Sequence, residues 1–334
     1  MRTMALIVLA FGCGPSGGDP GTSADASAPD GADAFTGSDA SAPDGTDAFT
    51  RSDGLTGCGC APFEVCTDGA CECGRDPLCG TAGFATFPIV APGERLLSAR
   101  GEVVVDRITG LRWERSMDGS SRTHAEARER CANLELDGHD DWRVPARVEL
   151  ATILDASRTP TLDVAVFGAA IEDYVWTASV AANDPARAYA IYFGQGETIL
   201  AAADLSGGHV RCVRGPRNAA RERRLEGGWL VDEGAELEWS VATEPAAPLA
   251  EARLACERRG ARVPTLYELH SLVDEGREPA IDPRLEGAEL AVWSVTERDF
   301  GEVLAWVMDF REGTSELRSL DEPLAARCVR TAVR

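Results

Sequence analysis

Residues Arg143 to Asp163 read RVPARVELATILDASRTPTLD, and Arg262 to Asp282, 119 positions further on, read RVPTLYELHSLVDEGREPAID. Nine of the 21 positions are identical: Arg, Val, Pro, Glu, Leu, Asp, Arg, Pro and Asp. The likeness extends in both directions. Upstream, Ala125-Glu126-Ala127-Arg128 precedes Cys131 at the spacing with which Ala250-Glu251-Ala252-Arg253 precedes Cys256. Downstream, Trp176 and Trp293 each stand 13 residues before an aromatic, Tyr189 or Trp306, and Phe193 and Phe310 follow four later. Both stretches close on Arg-Cys-Val-Arg, at 211–214 and 327–330. So many landmarks in one order mean a duplicated domain, copy 1 over 101–215 and copy 2 over 228–334.

Each copy reads as a mixed α+β unit. Ala127, Cys131 and Leu134, like Leu249, Ala252 and Cys256, recur at helical spacing and define one buried face. A second helix is expected after Pro145 or Pro264, because Pro suits a first helical turn. Its apolar stripe is Leu150, Ile153 and Leu154 in copy 1, and Leu269, Leu272 and Val273 in copy 2. Thr265 and Glu268 have capping-box spacing; Ala146 replaces the Thr in copy 1, so Glu149 must find another partner. Tyr189-Ile191-Phe193, Trp306-Met308-Phe310 and Val210-Cys212 alternate as strands do. The expected order is helices first and strands after.

The first 13 residues run Met1-Arg2-Thr3, an apolar Met4 to Phe11, then Gly12-Cys13. A positive start, a short apolar run and a small residue before Cys read as an export signal. The run is too short to span a bilayer. The arrangement resembles a bacterial lipoprotein signal, so Cys13 is expected to be lipidated. The protein would then be exported and tethered to the cell envelope, at the outer membrane or cell surface, with the lipid as its membrane contact. Residues 14–57 are Gly, Ser, Ala, Asp, Pro and Thr, with a 14-residue unit repeated at 26–39 and 40–53. Such a segment cannot bury enough apolar surface to offset its chain entropy, so a disordered linker is expected.

Eleven cysteines less Cys13 leave an even ten, as suits an oxidising compartment. Cys58, Cys60, Cys66, Cys71, Cys73 and Cys79 crowd into 58–80 with the spacing C-x-C-x5-C used twice. They read as three disulfides standing in for a core too small to form, and their connectivity stays open. Two cysteines remain per copy. Pairing Cys131 with Cys212, and Cys256 with Cys328, would tie the first helix of each copy to its last strand.

The chain carries 55 acidic against 33 basic residues, a net charge of −22, and no lysine. That balance excludes nucleic acid as a partner, since phosphate binding needs clustered cations. The four His, at 124, 139, 209 and 270, share no position between the copies. With every Cys otherwise employed, no nucleophile–base set emerges, no catalytic residue is assigned, and a non-enzymatic protein is expected. Asp137-Gly138-His139-Asp140-Asp141 offers oxygens of the kind calcium takes. Copy 2 deletes this run and Asp/Gly clusters make turns, so a polar turn is preferred and no cofactor or metal is expected. Trp113, Trp142, Trp176, Trp239, Trp293 and Trp306 read as core. The loops after the Trp-bearing strands differ between copies, which makes Asn183, Asp184, Glu297 and Asp299 the candidate ligand-binding residues.

Copy 1 is recognisable as a whole. Val105-Asp106, Thr109-Gly110-Leu111-Arg112-Trp113, Cys131, Gly138, Asp141-Trp142-Arg143-Val144-Pro145, Glu149-Leu150, Val175-Trp176-Thr177 and Arg211-Cys212-Val213-Arg214 resemble the Lcl C-terminal domain family. Copy 2 resembles it more loosely: the Thr-Gly-Leu and Asp-Trp elements are missing, and the Cys-to-Pro interval shrinks from 14 to 8. The resemblance implies two tandem C-type-lectin-like domains following the linker and the disulfide-rich module. It also implies exported modules and, for the family's namesake, adhesion to sulfated glycans, a ligand type that fits poorly with two acidic domains. The expected function is binding of a glycan or surface protein for adhesion or recognition. A structural or assembly role in the envelope, or an enzyme on the same fold, are the alternatives.

Overall fold

In a computed structural model of the chain, the described residues are 65–67, 70–72 and 97–332, apart from 157, 169–172, 217–222 and 289. The expected signal with Cys13, the linker over 14–57, and most of the six-cysteine module lie outside them. Of that module only the backbone of a short antiparallel hairpin is described, β1 (Val65–Thr67) and β2 (Ala70–Glu72), in which Cys66 stands opposite Cys71.

Copy 1 opens with strands, not helices: β3 (Leu97–Arg100), β4 (Val103–Asp106) and β5 (Arg112–Glu114). Helices α1 (His124–Ala132), α2 (Arg147–Ala151) and α3 (Val164–Phe167) follow. Strands β6 (Tyr174–Val180), β7 (Arg187–Tyr192), β8 (Glu197–Ala202) and β9 (Val213–Arg214) complete it. Copy 2 repeats the order with β10 (Arg223–Glu226), β11 (Trp229–Asp232), β12 (Leu237–Ser240), a short β13 (Glu244–Ala247), α4 (Leu249–Arg258) and α5 (Leu266–Leu272). It ends with β14 (Ala291–Asp299), β15 (Val303–Asp309), β16 (Thr314–Ser319), β17 (Leu324–Ala326) and β18 (Val329–Thr331). The fold is thus mixed α+β, in two tandem domains. The strand–helix–strand order corrects the helices-first reading, and β3 and β10 begin before the bounds of 101 and 228 that the repeat suggested. Both strands are short, and neither carries an element common to the two copies.

Each domain has a small meander, β3-β4-β5-β9 or β10-β11-β12-β18, whose final strand is the Arg-Cys-Val-Arg segment. Val210 to Cys212 is extended but is not a ladder strand. The Cys212 N–H donates to the Glu114 carboxylate (3.1 Å), and pairing starts only at Val213. The larger sheet of each domain is covered on both faces. The Cys131 side of β6 and β7 packs Trp176, Ala188 and Ala190 beneath α1, and the opposite side packs Val175, Ile191 and Phe193 beneath α2. Copy 2 does the same with Trp293, Ala305 and Val307 on one side and Trp306, Met308 and Phe310 on the other. Disulfides Cys131–Cys212 and Cys256–Cys328 close separations of 81 and 72 residues. By the chain-entropy account each restricts the unfolded state by about 4 kcal/mol.

The two large sheets are one sheet. β8 pairs with β16, giving the eight-stranded order β13-β17-β14-β15-β16-β8-β7-β6. The paired residues, Thr198 and Ser315, are equivalent positions in the duplication, 117 apart, so the copies face each other across a pseudo-twofold axis. The same relation holds nearby. Gly196 and Gly313, both at positive φ, lie under the equivalent aromatics Trp306 and Tyr189 of the opposite copy. A Cβ on either would come within 3.1 Å of Trp306 or 3.2 Å of the Tyr189 hydroxyl. That hydroxyl donates to the Glu312 carbonyl (2.6 Å), and burial pushes its pKa up to about 12.

The join is symmetric in backbone but not in charge. Arg147, fully buried on α2, reaches into copy 2. There it donates to His270 Nδ1 (2.6 Å), the His270 carbonyl (2.8 Å) and the Glu275 carboxylate (3.0 Å). Its own equivalent is Leu266, and the copy 1 equivalents of His270 and Glu275 are Ala151 and Ala156. Two copies of copy 1 would bury this guanidinium against alanines; only copy 1 against copy 2 satisfies it. Arg298 crosses the other way, donating to the Gln195 carbonyl and the Thr159 hydroxyl.

Breaking a buried ion pair leaves an uncompensated charge. Glu275→Ala should cost about 3 kcal/mol in urea unfolding monitored by tryptophan fluorescence. A loss under about 0.5 kcal/mol, the range of an ordinary surface change, would show that Arg147 does not depend on this carboxylate.

Candidate functional site

The residues that mark the repeat hold the scaffold. Arg143 donates both terminal nitrogens to Glu149 (2.6 and 2.7 Å), while its backbone pairs with Val213. Glu149 also accepts the Ala146 N–H (2.8 Å), so Arg143 is the partner that stands in for the missing Thr. Copy 2 repeats this with Arg262, Glu268 and the Thr265 N–H, the Thr265 hydroxyl completing the capping box. The first Arg of each Arg-Cys-Val-Arg is fully buried. Arg211 donates to the Glu114 and Arg115 carbonyls (2.6 Å each), and Arg327 to those of Ser240 (2.6 Å) and Val241 (2.9 Å). Burial lowers both guanidinium pKa values to about 10. The second Arg lies at the surface, Arg214 on Asp141 (2.6 Å) and Arg330 on Glu238 (2.7 Å).

The candidate loop residues separate into three places. Asn183 donates to Glu278 of the opposite copy (2.7 Å) and so belongs to the join between domains. Asp184, beside it, accepts the Ala186 N–H and shapes the β6–β7 turn. Glu297 is not in a loop: it lies within β14 and pairs with Arg253 on α4 (2.5 Å). Asp299 ends that strand and accepts the Gly301 N–H (2.7 Å) in the hairpin turn. The Asp137–Asp141 run is a turn in which Asp137 has positive φ and the Leu136 and His139 carbonyls accept the Trp142 indole N–H. Among the described residues no group of three or more His, Cys, Asp or Glu is placed to hold a metal. His124 bonds the Thr177 carbonyl (2.8 Å) against Trp176, and His270 faces Arg147.

The six tryptophans read as core are buried, at most 3% exposed. The seventh, Trp229, is the exception. It is half-buried at the start of β11, with the Arg330 guanidinium 4.0 Å from its ring centre. It lines a shallow cleft of 470 Å³ together with Gly227, Gly228, Val241, Ala242, Arg259, Glu286 and Arg330. Arg259 caps α4 and pairs with Glu244 (2.7 Å). The sequence signal was the Gly-Gly-Trp triplet at 227–229, where copy 1 has Gly101-Glu102-Val103. Trp229 has no aromatic equivalent in copy 1, so the duplication does not mark it.

The Lcl C-terminal domain family matches residues 102–214 and again 218–330. These two stretches make up more than half of the chain, which therefore belongs to that family, with two tandem copies of its domain. No curated protein matches the chain.

The imidazoles dictate a pH dependence of the scaffold. Burial, reinforced by Arg147, holds the His270 pKa well below its ordinary 6.5, and burial lowers that of His124 too. Below pH 6.5 the unfolded chain takes up protons there that the folded chain refuses, so stability present at pH 7 is lost as pH falls. Each group contributes at most about 1.4 kcal/mol per pH unit, between its ordinary pKa and its lowered folded value. Urea unfolding at pH 7 and 5 should show this loss, reduced in His270→Gln. An unchanged slope in that variant would rule out His270 as its source.

Proposed function

We propose that the protein is a non-enzymatic surface lipoprotein, anchored through Cys13, whose two Lcl C-terminal domains bind an extracellular glycan or surface protein for adhesion or recognition. In this reading each domain is a C-type-lectin-like module, and the linker and six-cysteine segment hold the pair away from the membrane. The observation that supports it best is how the family residues are used. Arg143, Glu149, Arg211, Cys212 and their copy 2 counterparts are spent on caps, carbonyl contacts and a disulfide. A stapled scaffold of this kind leaves function to variable surface, and the Trp229 cleft is such a surface.

The test is a glycan array and a cell-attachment assay with the full chain, each run with calcium and with chelator. Reproducible binding to one glycan class, or attachment lost after protease treatment of the target cells, is the expected outcome. It should be insensitive to chelator, because Asp137 to Asp141 are engaged in a turn. No binding in either assay by a folded, fully disulfide-bonded sample would refute the adhesive reading.

A further inference from the structure

The cleft in copy 2 lies where copy 1 has a loop. In copy 1 the chain between α1 and Pro145 covers the outer face of the small meander. Trp142 packs there in one apolar cluster with Val103, Val144 and Cys131, and Asp141 holds Arg214. The equivalent interval in copy 2 is six residues shorter and has neither Trp nor Asp. Three changes accompany the loss. Val103 becomes Trp229, which is absent from the corresponding cluster of Leu249, Cys256, Val263 and Trp293. The final Arg of the motif turns to Glu238 and lies on the Trp229 ring. The space between the end of α4 and the meander stays open. The opening in copy 2 is thus lined by Trp229 and Arg330, whose copy 1 equivalents, Val103 and Arg214, are engaged by the Trp142 loop.

We propose that this cleft is a binding site for a neutral saccharide, an assignment that rests on the ligand-binding reading above and narrows it to one place and one chemistry. The floor is the Trp229–Arg330 stack, a guanidinium laid over an indole ring, which offers apolar surface and a planar donor to the C–H face and hydroxyls of a pyranose. The walls include Arg259, held by Glu244, and the exposed Glu286. Arg259 is matched by Glu244, Arg330 by Glu238, and Glu286 by the buried Arg327 beneath it, so the site carries no net charge. Such a site has no surplus cation to hold a sulfate or carboxylate, whereas hydroxyls accept from guanidinium and donate to carboxylate at no charge cost. The Gly227 and Gly228 backbone lies open at the rim, with nothing within 4 Å of either Cβ position. In copy 1 the Trp142 loop engages the equivalents of Trp229 and Arg330, so one saccharide is bound per chain.

The experiment titrates the full chain with cellohexaose, mannohexaose and chitohexaose, with a heparin hexasaccharide as the anionic counter-probe. Tryptophan fluorescence reports on Trp229, and calorimetry gives the stoichiometry. One neutral oligosaccharide should bind at one per chain, unaffected by 0.5 M salt. Trp229→Ala, and independently Ala242→Trp, which fills the cleft without removing a contact, should each weaken it about tenfold or more. Unchanged binding in both variants would place the ligand elsewhere, overturning this site while leaving the adhesive reading intact. Binding of the heparin fragment alone would overturn the neutral class. Failure of all four probes would overturn the proposal, and the array and attachment assays would judge the adhesive reading by themselves.

Discussion

A guanidinium bound end-on by a carboxylate at a helix N-terminus sets the geometry of each domain. Arg143 belongs to the meander through its backbone, which pairs with Val213, and to α2 through its side chain, which grips Glu149. Because Glu149 also accepts the Ala146 N–H, one carboxylate fixes where the helix begins and how it meets the last strand. The neighbouring Cys212 then ties that strand to α1. Loosening this pair would free the helix, the strand and the disulfide arm together, which is why the same residue types recur in copy 2 although its surroundings have diverged. A charged pair of this kind is costly to bury and costly to break, so it specifies one arrangement more than it adds stability.

The same economy shapes the join. Backbone pairing between β8 and β16 has no preference for which copy it meets, since Thr198 and Ser315 are equivalent positions. Discrimination comes from side chains that broke the symmetry: Arg147 facing His270 and Glu275, and Arg298 facing the Gly194–Gln195 turn. The edge strands that a lone domain would expose are consumed inside the chain, a way of blunting edges against unwanted pairing. Asn183, on the loop between β6 and β7, is drawn into this contact.

The surface that the shared scaffold leaves unused is therefore asymmetric. The duplication gave two scaffolds of equal design, but the shortened segment after α4 uncovers the meander of copy 2 alone. Trp229 and Arg330 rearranged into a stack at the exposed site. Copy 1 keeps its cover, and its structural role in the pair is to complete the sheet.

The sequence by itself determined the duplication, the disulfide pairs, the helix faces and the core tryptophans, since each leaves a local or periodic trace. The 119-residue offset aligned Arg143 with Arg262 and Cys131 with Cys256, and periodicity placed Leu150 and Leu269 inward. Tertiary structure alone decided the rest. β3 and β10 have no shared residues to betray them, so the leading strand of each meander was not legible. The fused sheet rests on a backbone pairing that any extended segment can make. Glu297 belongs to β14 because its backbone pairs with Ala305 across the ladder, a pairing that the loop reading had no local residue to reveal. The cleft exists because six residues are missing, and a deletion shows which space is empty only when the intact copy stands beside it in three dimensions.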